Sequence, residues 1–125
     1  MIDNARGEDP ALAEFLQQVF VTRPDVIQKD PELVRKLVRA LLRANQWALA
    51  AKPEEIADVL QPSMGGATPR DALLTGIKAT VPAYSRDGRI TERAFKAALD
   101  VMEVAGILKK RPTLADVATN DFLPK

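Results

Sequence analysis

Arg35, Arg39 and Arg43 recur every four residues with Lys36 beside them. On a helix that spacing lines guanidinium groups along one side, where they could hold phosphate or another anion through charge-assisted hydrogen bonds. The same pattern describes the solvated back of an amphipathic helix, and aliphatic residues on the other side favour that reading. Trp47 could offer a ligand an aromatic platform, but near the end of a long helix it reads better as a core or interface anchor. Tyr84-Ser85 beside Asp87-Gly88 could line a site or touch a metal. Calcium needs several converging oxygens, so one carboxylate in a tight turn reads as structure. Glu54 and Glu55 are adjacent and do not converge on one substrate. Gly65-Gly66 lacks the Gly-Lys-Ser or spaced-glycine context of a phosphate cradle and reads as a linker. The sequence therefore assigns no catalytic residue, no metal ligand and no cofactor, and ligand-binding residues stay unassigned.

Composition narrows the field further. A chain of 125 residues, 46% hydrophobic and 28% charged, suits one globular domain spanning residues 1–125. Eighteen basic against 17 acidic residues leave a net charge of +1, without the basic excess of a nucleic-acid domain. The absence of cysteine removes disulfides and thiolate chemistry, and the absence of histidine removes the usual base and metal ligand near neutral pH. An enzyme is not expected. No apolar run is long enough to cross a bilayer, so no membrane insertion is expected. The opening MIDNARGEDP is acidic and polar, unlike a signal peptide, which implies a cytoplasmic location if the chain is made as written.

Prolines punctuate the chain at helix starts. Asp9-Pro10, Asp30-Pro31 and Thr68-Pro69 each pair a capping residue with proline at the first helical position. Lys52-Pro53 opens another helix without a side-chain cap, and Glu54 and Glu55 there suit the helix dipole. The spacing predicts a long helix over 31–51 burying Val34, Leu37, Val38, Leu41, Leu42, Ala48 and Leu49. A short helix follows with Ile56, Val59 and Leu60 inward, then a loop over 61–67. A third helix over 69–81 buries Leu73, Leu74 and Ile77, with Thr68 and Asp71 in capping-box spacing. Thr91 caps a helix whose inner face is Phe95, Ala98, Leu99, Met102 and Ala105. Gly106 ends it, with Ile107 placed for the following apolar contact. Thr113 and Asp116 mark a last short helix, and residues 119–125 read as an extended tail. Val19-Phe20-Val21-Thr22 alone resembles a strand; lacking a partner, it either continues a helix or pairs outside the chain.

The order of these pieces resembles the C-terminal portion of the solute-binding proteins of ABC importers, the family that binds nitrate, sulfonates, taurine or thiamine-type pyrimidines. The resemblance covers residues 19–125, and residues 1–18 fall outside it. It rests on residues 19–22, the Pro24-Asp25-Val26-Ile27 turn and the helix start Asp30-Pro31-Glu32-Leu33-Val34. It continues through Trp47-Ala48, Pro53-Glu54-Glu55, the turn over 84–90, the helix end over 106–109 and the closing segment over 114–122.

The resemblance implies a mainly α fold of about five helices with at most one short strand, corresponding to the C-terminal helical portion of a two-lobed α/β periplasmic binding protein. It implies delivery of a small organic, anionic or pyrimidine-like solute to an ABC permease from a periplasmic or extracytoplasmic site. The chain would serve as scaffold, with no complete ligand site. Another reading is a stand-alone helical interaction or dimerisation module. A homodimer is expected for the isolated chain, because faces shaped to cover absent parts would be exposed.

Overall fold

The computed structural model describes residues 16, 18–65 and 67–124. Their architecture is mainly helical: α1 (Pro24–Lys29), α2 (Pro31–Ala50), α3 (Pro53–Leu60), α4 (Arg70–Thr80), α5 (Glu92–Val104) and α6 (Leu114–Val117). Short 3-10 turns at Gln61–Met64 and Val81–Ala83 extend α3 and α4. No strand forms among the described residues, and residues 19–22 are exposed and irregular. With no second extended segment among the described residues to pair its N–H and C=O groups, a lone strand has nothing there to hold it.

The helix starts follow local chemistry. The Asp30 backbone N–H closes α1 on the Val26 carbonyl at 3.0 Å, while its side chain accepts from the Leu33 N–H at 2.9 Å to open α2. Residues 24–27, read as a turn, are thus the first turn of α1, with Pro24 at its start and Asp25 at its positive end. At α3 the Glu55 carboxylate accepts from the Lys52 N–H at 2.7 Å, one half of a capping box, because the Lys52 side chain has no acceptor to complete it. Thr91 Oγ1 accepts from the Ala94 N–H at 3.0 Å to start α5, and Asp116 accepts from the Thr113 N–H at 2.8 Å to start α6. The Thr68–Asp71 box does not form: α4 begins at Arg70, with Pro69 as the residue before it and no side-chain cap. Residues 61–64, read as loop, coil into the first 3-10 turn, and Gly65 (φ 60°) ends it; Gly66 and the Asp9-Pro10 pair lie outside the described residues. Asp30→Ala is expected to cost about 1 kcal/mol of stability by urea unfolding, and an unchanged midpoint would count against the cap.

The core lies where α3 packs on α4 beside the C-terminal half of α2. Ala48, Ile56, Ala57, Leu73 and Ile77 are buried together, with Ala51, Leu74, Val81 and Tyr84 partly buried around them. Every buried residue among those described is apolar, and three of the eight are alanines, so helices meet closely over a thin interior. The buried stripe of α2 is narrower than the pattern predicts. Val34 and Ala48 are buried, and Val38, Leu42 and Leu49 are half-buried. Leu37 (41%) and Leu41 (45%) are exposed; Leu41 is seven residues from both Val34 and Ala48 and shares their side of the helix, but within α2 only Ala48 joins the α3–α4 core.

Two other helices depart similarly. On α3 the inward pair is Ile56 and Ala57, while Val59 and Leu60 are exposed. On α5, Ala94 and Leu99 are buried, but Met102 and Ala105 are exposed, since no helix among the described residues covers the last turn. That turn closes as expected, Gly106 (φ 70°) donating to the Glu103 carbonyl at 2.9 Å and Ile107 to the Met102 carbonyl at 3.0 Å. Ile107 itself is exposed and makes no buried contact.

Candidate functional site

The arginine stripe does not converge on an anion. Arg35 Nε lies 3.3 Å from Glu32, and its Nη1 donates to the Asp121 carbonyl at 3.2 Å. Its guanidinium carbon sits 5.2 Å from the centre of the Phe122 ring, within cation–π range. Arg35 thus holds the C-terminal tail against α2. Lys36, Arg39 and Arg43 are exposed and form no ion pair among the described residues, as expected of a solvated face.

The tail is pinned at a second point that the sequence reading missed. The Ile90 N–H donates to Asn120 Oδ1 at 2.9 Å, and Asn120 Nδ2 donates to the Ile90 carbonyl at 2.9 Å. One amide side chain thus satisfies both backbone groups of Ile90, as a neighbouring strand would. Residues 119–124 are therefore a docked segment and not a free extended tail. No sequence signal marks Asn120, because its partner is backbone thirty residues away.

The Tyr84–Gly88 turn is structural. Tyr84 packs on the core, and Ser85 Oγ accepts from the Gly88 N–H at 2.9 Å. Asp87 Oδ1 accepts from the Arg89 N–H at 2.9 Å, and that bond holds its carboxyl below the usual carboxylate range, against a raising effect of burial. Gly88 has φ 71°, and a Cβ there would stand 3.2 Å from Leu123 and 3.6 Å from Leu42. The turn, α2 and the tail therefore meet at this glycine.

Two open hollows remain. One, of about 460 Å³, is lined by Trp47, Ala50, Ala51, Glu55, Asp58 and Val59. Trp47 is half-exposed in its wall, so it is not a core anchor. Glu55 is occupied with the Lys52 N–H, and Asp58 pairs with Arg70 at 2.7 Å. The other, of about 750 Å³, lies between α5 and the chain over 111–115. Two of its cations are paired: Lys96 with Asp100 at 2.8 Å, and Arg111 with Asp100 and, at 2.6 Å, with Glu103. Lys96 and then Arg111 hold the Asp100 carboxyl below its ordinary range. Glu54-Glu55 open α3 and do not face a common cavity. Among the described residues no acidic cluster could hold a metal, and no helix is long and apolar enough to cross a membrane.

Residues 5–56 match the family model described as NMT1/THI5 like, which supports likeness to the solute-binding proteins named above over less than half of the chain. The matched stretch begins inside the segment that the motif reading left out, and it ends on α3. The motifs over 84–90, 106–109 and 114–122 lie beyond it. No curated protein matches the chain, and no solved structure does.

Proposed function

We propose that this chain is a scaffold segment of a solute-binding protein that delivers a small organic or anionic solute to an ABC permease outside the cytoplasm. The observation that carries this reading is the likeness of residues 5–56 to the NMT1/THI5-like family. The site geometry agrees with a scaffold role. Arg35, Tyr84, Ser85 and Asp87 are each engaged by their own chain, and the carboxylates of the Trp47 hollow are already bonded. No enzymatic step is proposed, and no residue is assigned to the solute.

Ligand-induced stabilisation tests the reading, because a ligand that binds the folded state raises its melting point by mass action. Nitrate, taurine, an alkanesulfonate and a hydroxymethylpyrimidine are expected to leave the melting point of this chain unchanged. The product of the full natural gene is expected to bind one of them saturably. A saturable shift in the chain itself would overturn the scaffold role. Failure of the full product to bind any of the four would overturn the transport reading.

A further inference from the structure

The C-terminal end of α5 carries aliphatic side chains that nothing among the described residues covers. Val101 and Val104 share one side of the helix at a spacing of three, and Ile107 follows just past the turn at Gly106. Val104 is 91% exposed and Ile107 68%, so this end projects, and neither hollow described above includes it. The charges around the tip are sorted by sign. Asp100 and Glu103 are both paired with Arg111, and Asp100 also with Lys96. Lys109 and Lys110 are exposed and form no ion pair among the described residues, so the free charge beside the tip is positive. The backbone is satisfied as well. The N–H groups of residues 105–108 all donate to carbonyls of residues 101–103, at 2.9–3.3 Å. The tip can therefore leave water without stranding a donor there.

We infer that this tip docks on an anionic lipid surface. Val104 and Ile107 enter the boundary between headgroups and acyl chains, while Lys109 and Lys110 stay among the headgroups. A bilayer asks for no matching shape, so it suits a projecting aliphatic turn that offers a protein partner no groove to fill. The unpaired lysines complement its negative charge, and their long side chains reach back to the polar layer. The contact rests on the membrane and does not cross it, in keeping with the lack of a spanning helix among the described residues. Two aliphatic side chains and two lysines make a weak, reversible anchor. The inference goes beyond the proposed function and does not rest on it.

Sedimentation with vesicles tests it on the full chain. Vesicles of equal parts phosphatidylserine and phosphatidylcholine are expected to carry the protein down, and vesicles of phosphatidylcholine alone far less. Replacing Lys109 and Lys110 together by glutamine should weaken binding about thirtyfold. Val104→Ser combined with Ile107→Ser should weaken it about tenfold or more. All four side chains are exposed, so circular dichroism should show unchanged helicity. The absence of cysteine allows a local readout. An environment-sensitive dye on Ile107→Cys should shift to the blue on binding, and the same dye on Val59→Cys, exposed on α3, should not. No binding at millimolar lipid would overturn the inference, as would equal binding to both kinds of vesicle. So would binding that the double serine variant leaves unchanged, or a blue shift at Val59→Cys equal to that at Ile107→Cys.

Discussion

Ile77→Ala is expected to lower the unfolding free energy by about 2–5 kcal/mol. Ile77 is 6% exposed and packs with Ala48, Ile56, Ala57 and Leu73. Two of those neighbours are alanines, which have no side-chain freedom with which to fill the space left behind. The loss therefore combines the lost burial of the removed carbons with an unfilled cavity. Urea unfolding followed by the single tryptophan reads it directly, as a lower midpoint at unchanged slope. Val59→Ala is the control: Val59 is 60% exposed and should change stability by less than about 0.5 kcal/mol. Equal effects at the two positions would show that the core lies elsewhere.

Asn120→Ala is expected to cost about 1–3 kcal/mol, because it strands the partly buried N–H and C=O of Ile90 at once. Asn120→Asp separates the two bonds. It keeps an acceptor for the Ile90 N–H but sets a carboxylate against the Ile90 carbonyl, so it should fall between wild type and alanine, or below alanine if repulsion wins. Hydrogen exchange at the Ile90 amide gives a local readout, with protection expected to drop in the alanine variant before global unfolding. A stability loss without faster exchange at Ile90 would argue against the paired amide.

What could be read from the sequence was local. Asp30, Thr91 and Asp116 sit three residues from the groups they cap, so their roles show in spacing alone. Gly106 was legible for the same reason, because a positive φ after a helix favours glycine. The mainly α class follows from these signals together with the 3.6-residue periodicity. Which half of the apolar face of α2 is buried was not legible. Val34 and Leu33 are both strongly apolar, and only tertiary packing separates them. Arg35 was readable as a surface cation, but its service to Phe122 and Asp121 depends on a chain reversal that no local pattern encodes. The candidate site fared likewise: the turn at Ser85-Arg86-Asp87-Gly88 was visible, and its docking against Leu123 was not.

The pinned tail bears on the order in which the molecule assembles. Arg35 and Asp121 are separated by 86 positions, and Ile90 and Asn120 by 30, whereas α3 and α4 are close neighbours in the chain. Closing a long loop costs entropy before any contact is gained, so short-range pairs are favoured early. The α3–α4 pair can thus serve as a nucleus, with attachment of residues 120–123 as the finishing step. Substitutions at Asn120 should then hasten unfolding while leaving the refolding rate near that of the native sequence.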